Sequence, residues 1–263
     1  MGGVGKTELV LQYALKYRSF YKGGICFLEA HKDINNLYAQ LIQFARQKLF
    51  MNFRFRGPEN KFTLAELAAL CIDNWPISGK VLIILDSVRS TSVISAIYKL
   101  FADNEFRILI TTRIRRLDPT YSECCLEALP EDEAIRMLYA FAGRQRRELR
   151  EYAVQLCNIV GCIPLGIELI GRHLANDLTV TFKQLSETLT IDSPALDQSS
   201  FEMTAQRNLI ATFNSFWQSL DEAARQLGQL LSLFANTRIP ESLIDNLAQR
   251  TGLSEEMLAS AKN

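Results

Sequence analysis

The alternation of apolar runs with amphipathic segments predicts an α/β layer followed by helices. From Lys6 to about Arg18, apolar side chains recur at helical spacing, and residues 37–50 and 63–75 show the same period. Thr63 and Glu66 form a capping-box pattern at the start of residues 63–75. A further helix is expected at about residues 93–101.

Short apolar runs between turn residues predict the strands. Residues 25–28 follow two glycines, and residues 80–86 include five consecutive aliphatic side chains. A run without polar alternation is typical of a strand buried on both faces of a parallel sheet. Residues 107–113 predict a second buried strand, and residues 124–129 a weaker one.

After Pro130 the pattern predicts helices alone, with breaks near Gly143, residues 161–164, Asn176 and residues 192–194. Residues 192–200 are the best linker candidate. We therefore expect a nucleotide-binding α/β domain over residues 1–129, a helical domain over 130–195 and a third region over 196–263.

Composition narrows the class of protein. Lys plus Arg and Asp plus Glu both total 29, which gives no global argument for binding nucleic acid or an anionic membrane. Basic clusters at residues 113–116 and 144–150 are interpreted as solvated faces, and nucleic acid is not an expected partner. No apolar run approaches the ~20 residues that span a bilayer. The six cysteines form no C-x-x-C pair and are interpreted as reduced, buried thiols of a cytoplasmic protein.

The first eight residues contain the end of a phosphate-binding loop, Gly5-Lys6-Thr7, whose full pattern is G-x-x-x-x-G-K-[ST]. Glycines allow the backbone N–H groups to surround an anion, and the following helix adds the positive end of its dipole. Lys6 is expected to reach the β- and γ-phosphates, and Thr7 to bind Mg²⁺. The opening glycine of the pattern falls one position before Met1, and the strand that feeds the loop is missing. A glycine-rich N-terminal turn is the simpler alternative.

Two strand ends supply further candidate residues. Asp86 ends the most hydrophobic predicted strand, where a carboxylate beside a phosphate-binding loop holds Mg²⁺; capping of the next turn is the alternative. Ser87 stands where related ATPases have a second acidic residue, so hydrolysis is expected to be slow at best. Arg113 follows the next strand and is placed to contact a γ-phosphate, unless it only faces solvent.

Four stretches in order resemble the motifs of the NB-ARC family of STAND-class P-loop ATPases. They are Gly2 to Leu9, Val81 to Asp86, Ile108 to Arg113, and Gly161-Cys-Ile-Pro-Leu165. By itself, the last stretch shows only a helix break at which Pro164 starts a new helix. The resemblance covers most of residues 2–240 and implies a P-loop sheet lacking its first strand, a helical domain and the start of a winged-helix domain.

The resemblance also implies roles for individual residues. Gly3, Val4, Gly5, Lys6, Thr7 and Glu8 would contact the phosphates of ATP or ADP, with Thr7 and Asp86 on Mg²⁺. Lys6, Asp86 and Arg113 would serve hydrolysis, Arg113 would sense the γ-phosphate, and Pro164 with Leu165 would contact the nucleoside. The family's switches self-associate through the ATPase domain, so the full-length parent is expected to do the same.

Three functions remain open at this stage. The first is an ATP/ADP-binding signalling switch with slow or impaired hydrolysis that controls oligomerisation in a larger parent. The second is an AAA+-like ATPase that acts on DNA, which Ser87 and the neutral net charge disfavour. The third is an inactive fragment or protein-interaction module, expected to be poorly stable and to bind nucleotide weakly because of the missing strand and half-loop.

Overall fold

A computed structural model describes residues 2–51, 62–101, 105–115, 121–143, 149–191, 201–233 and 242–243. The chain divides into two compact units, Met1–Glu127 and Ala128–Asn263. The first is mixed α/β and the second is helical in its described parts. Within the described ranges, no helix combines the length and the hydrophobicity needed to cross a membrane.

The first unit contains a three-stranded parallel sheet in the order β1-β2-β3. Its strands are β1 (Gly24–Glu29), β2 (Val81–Val88) and β3 (Phe106–Thr112). The central β2 carries the aliphatic run, and all five residues from Val81 to Leu85 are buried. This confirms the prediction of a strand covered on both faces, because only a central strand between two helical layers loses contact with water on both sides.

Helices cover both faces of this sheet. Val10 and Ala14 pack with Leu82 and Ile84 on one face, whereas Ile83 belongs to a larger apolar cluster on the other. The alternation of side chains along a strand explains why neighbours in β2 enter different clusters. The helices of this unit are α1 (Lys6–Lys16), α2 (Ile34–Lys48), α3 (Leu64–Asp73) and α4 (Thr91–Leu100). The first covers one face, and the other three contribute to the larger cluster.

Side-chain caps decide where two of these helices begin. The capping box predicted for α3 is present, since Thr63 accepts from the backbone N–H of Glu66 while the Glu66 carboxylate accepts from that of Thr63. Helix α2 begins three residues before the predicted Leu37, because the Asp33 carboxylate accepts a 2.8 Å hydrogen bond from the Asn36 N–H. The apolar period missed this turn because Asn35 and Asn36 separate Ile34, which packs against the larger apolar cluster, from Leu37.

The prediction of a strand over residues 124–129 was wrong. The described backbone there forms no strand, and the Leu129 N–H donates instead to the Cys162 carbonyl at 3.0 Å. A β-strand needs a neighbouring strand whose backbone groups pair with its own. Here the Leu129 N–H pairs with a carbonyl in a turn instead of with a strand. The same segment exposes Cys124 and Cys125, so the expectation of buried thiols fails for these two. Cys26, Cys71 and Cys157 are buried as expected, and burial raises the pKa of Cys71 to about 11.

The second unit is a group of helices around its own apolar cluster. The expected breaks are present at Gly143, before Pro164 and after Asn176. Residues 192–200, most of the basic cluster at 144–150 and nearly all of residues 234–263 lie outside the described part, so the linker and the winged helix stay predictions. The helices are α5 (Glu131–Ala142), α6 (Arg150–Ile159), α7 (Pro164–Asn176), α8 (Phe182–Ile191), α9 (Phe201–Ser219) and α10 (Glu222–Ser232).

Close packing of α5 against α7 depends on Gly171. A Cβ at this position would lie 2.4 Å from the Cβ of Phe141 and 3.3 Å from the Leu138 carbonyl oxygen. Intrinsic helix propensity alone predicts that Gly171→Ala stabilises α7 by about 0.5–1 kcal/mol. Because the new methyl would separate the helices, we expect the opposite sign, a loss of about 1–3 kcal/mol.

Thermal or urea unfolding followed by far-UV circular dichroism measures this change. The control is Ala175→Gly, at an exposed position of the same helix, which reports propensity without a neighbouring helix. Stabilisation by Gly171→Ala would contradict the close approach of the two helices.

Candidate functional site

The loop before α1 has the backbone of an anion site. Gly3 and Gly5 adopt φ values of 74° and 90°, a region that glycine enters without a steric penalty. Val4, between them, is buried and anchors the loop in the protein. Gly5 is the N-cap of α1 and makes no side-chain cap hydrogen bond. The first turn of α1 therefore presents its N–H groups and the positive end of its dipole at the loop.

The two residues predicted to bind Mg²⁺ are in direct contact. The Thr7 hydroxyl donates to Asp86 Oδ1 over 2.8 Å, which links the first turn of α1 to the carboxyl end of β2. This contact joins residues 79 positions apart in the chain. The sequence predicted each residue from its own motif, and the structure brings the two together.

Thr111 completes the surroundings of the carboxylate. Its hydroxyl donates to Asp86 Oδ1 at 2.6 Å and accepts from the Ser87 N–H at 2.8 Å. Thr111 is 4% exposed, and it is one of the few buried polar residues. Sequence reasoning noted residues 111–113 at this strand end but gave a role only to Arg113 and none to Thr111. The available signal was a polar side chain at the end of an otherwise aliphatic strand.

A β-bulge places these groups. The β2–β3 register shifts between Leu85 and Val88, so that Asp86 and Ser87 of β2 lie opposite Thr111 of β3. Ser87 takes a left-handed φ of 61°. Leu85 and Val88 both enter the larger apolar cluster, although residues three apart in a regular strand face opposite sides. The extra residue returns Val88 to the core and takes the Ser87 N–H out of the regular ladder.

Lys6 lies near both Asp86 and Arg113. Burial lowers the pKa of Lys6, the Arg113 guanidinium lowers it further, and Asp86 acts in the opposite direction. Arg113 Nη2 lies 3.2 Å from the point that a Cβ on Gly2 would occupy, so the guanidinium is packed against the loop. Lys6 and Arg113 thus place two positive charges beside the loop, where they can attract an anion such as phosphate.

The remaining predicted contacts are less closely tied to this centre. The Glu8 side chain is exposed and accepts from Gln12 on the next turn of α1. Pro164 is the first residue of α7, and Leu165, beside it, is 45% exposed. Both belong to the second unit, where Cys162 adopts a φ of 53° in the turn before α7. Their contact with a nucleoside stays a prediction.

The donor set fits a magnesium–nucleotide site. In the described part of the chain, no group of three or more His, Cys, Asp or Glu residues could hold a metal ion on its own. Magnesium in nucleotide sites is bound by one or two protein oxygens together with phosphate oxygens, and it does not need such a cluster. The hydroxyl of Thr7 and the carboxylate of Asp86 are oxygen ligands of this kind.

Comparison with known proteins shows a similarity to a regulatory protein. No family model matches the chain. The chain is similar to the regulatory protein AfsR of Streptomyces coelicolor, with 25% identity over 239 residues. The matched region covers 89% of this chain and 23% of AfsR, so the chain spans about a quarter of the length of that relative.

Proposed function

We propose that the chain is an ATP/ADP-binding molecular switch of the STAND type, with slow or impaired hydrolysis, within a larger regulatory protein. The observation that carries the proposal is the meeting of Lys6, Thr7, Asp86 and Arg113 at one edge of the parallel sheet. Ligands of open α/β sheets bind at the carboxyl ends of the strands, where these groups lie. The similarity to a regulatory protein supports the biological class.

Different residues of the loop and the strand end would bind different parts of a magnesium–nucleotide complex. The loop from Gly3 to Thr7 would enclose the phosphates with backbone N–H groups, with Glu8 following it in the first turn of the helix. Lys6 would add a point charge to the phosphates. Thr7 and Asp86 would hold Mg²⁺, which neutralises phosphate charge when bound.

Switching requires that ATP and ADP make different contacts with the protein. Arg113 supplies a planar fork of donors suited to the γ-phosphate, which ATP has and ADP lacks. The resemblance of residues 161–165 to a family motif implies that Pro164 and Leu165 contact the nucleoside. A difference at Arg113 would thus bias the parent protein between a closed monomer and a self-associating form that signals.

We expect Mg-ATP to raise the melting temperature of the chain and Lys6→Ala to abolish this increase. Ligand that binds only the folded state adds about 2.7 kcal/mol at a hundred times its Kd, which a thermal-shift assay detects. Lys16→Ala is the matched control, because it removes an exposed lysine from the last turn of the same helix. An unchanged melting temperature of the wild type would favour an inactive fragment, and an equal shift in Lys6→Ala would remove Lys6 from the site.

Arg113→Ala is expected to weaken the binding of ATP at least about tenfold, because a hydrogen bond to a charged group contributes about 1.5–3 kcal/mol. The affinity for ADP should stay nearly unchanged. Isothermal titration calorimetry with each nucleotide measures both affinities. Arg115→Ala removes the same charge two residues further along the chain and should change neither. Equal losses for ATP and ADP would contradict a role in distinguishing the two.

Ser87→Asp is expected to raise ATP turnover by about tenfold or more, because a carboxylate can orient and deprotonate water whereas a hydroxyl cannot. Aspartate and asparagine both tolerate the left-handed backbone that Ser87 adopts. Ser87→Asn is therefore the control of similar size without charge. Phosphate release measures turnover, and fast hydrolysis by the wild type or equal rates in the two variants would contradict the assignment.

A further inference from the structure

The hydrogen bonds of Thr111 have a fixed direction. The Ser87 N–H can only donate, so Thr111 Oγ1 accepts there over 2.8 Å. A hydroxyl has one hydrogen, and the 2.6 Å contact directs it to Asp86 Oδ1. One side chain thereby satisfies the N–H exposed by the bulge and holds one oxygen of the carboxylate.

The three hydroxyls around Asp86 differ in their access to water. Thr7 is half-buried and belongs to the loop, and the Ser87 hydroxyl is exposed and lies 3.3 Å from Asp86 Oδ2. Thr111 is 4% exposed and projects from the β-sheet. A buried hydroxyl has little opportunity to exchange its partner for water, so its contact is the most persistent of the three.

We propose that Thr111 is a positioning residue that holds the Asp86 carboxylate in its metal-binding orientation at the bulge. This assignment rests on the proposed nucleotide function. Thr111 itself does not reach the ligand. Residues that orient a metal-binding side chain through a hydrogen bond commonly change metal affinity by about 10–100-fold when they are replaced.

The neighbouring residue provides a matched control. The Thr112 hydroxyl donates to the Val88 carbonyl at 2.8 Å and accepts from the Ile114 N–H at 3.0 Å. It therefore also connects the ends of β2 and β3 through one donated and one accepted hydrogen bond. Unlike Thr111, it donates to a backbone carbonyl and not to Asp86. Thr112→Val and Thr111→Val thus remove the same group and the same number of bonds.

The test measures the Kd of ATP for the 263-residue chain with excess EDTA and with Mg²⁺. The ratio of the two values gives the Mg²⁺ enhancement. We expect Thr111→Val to reduce this enhancement by about tenfold or more. Thr111→Ser keeps both hydrogen bonds and should retain most of the enhancement, as should Thr112→Val. If Thr111 has only a structural role, Thr111→Val will behave like Thr112→Val. Each variant would then have a lower melting temperature and an unchanged Mg²⁺ enhancement.

The outcomes separate the two proposals. If wild-type protein binds no nucleotide, the proposed function fails, and the role of Thr111 falls with it. If the wild type shows a Mg²⁺ enhancement that Thr111→Val keeps, the positioning role alone is overturned. Thr111→Ala serves as a second variant should the valine variant not fold. Failure of both to fold would make the hydroxyl a requirement of folding and would also overturn the positioning role.

Discussion

The hydrogen bonds that the Asp86 carboxylate accepts hold together the loop and the strand ends at one edge of the sheet in the first unit. Asp86 accepts from Thr7 of α1 and from Thr111 of β3 while its own backbone lies in β2. Its carbonyl also accepts from the Ala30 N–H just beyond β1 at 2.7 Å. One residue therefore joins the loop-bearing helix to the strand ends. Such a carboxylate restricts the positions of several segments at once, because each hydrogen bond has a narrow range of distance and angle.

The bulge beside Asp86 affects both the core and the strand ends. It returns Val88 to the apolar cluster and places Asp86 and Ser87 opposite Thr111. Val88 must return to the apolar face, and the extra residue that achieves this leaves Ser87 with a left-handed backbone. Left-handed φ at a non-glycine residue is uncommon and is found at functional sites that the surrounding structure supports. The Thr111 hydroxyl provides part of that support. Packing on one face of the sheet thus determines how a carboxylate is presented at its edge.

The charges of the site explain why a phosphate is the expected partner. Burial and the nearby Arg113 guanidinium lower the pKa of Lys6, and Asp86 acts in the opposite direction. The N-terminus of α1 adds a further positive end at the same place. An anion would reduce the repulsion between Lys6 and Arg113. A metal cation bound to the oxygens of Thr7 and Asp86 would need phosphate oxygens as further ligands.

The sequence by itself predicted most of the helices and strands that the structure describes, and it supplied the candidate site residues, because these signals are local. The aliphatic run of β2 between turn residues indicated a buried strand, the capping box marked the start of α3, and Gly5-Lys6-Thr7 matches the end of a phosphate-binding pattern. The tertiary structure alone decided that Asp86 and Ser87 oppose Thr111, and that residues 124–129 form no strand. A bulge arises from the competition between side-chain alternation and core packing, and strand formation requires a partner. Both depend on residues far apart in the chain, which no local pattern records.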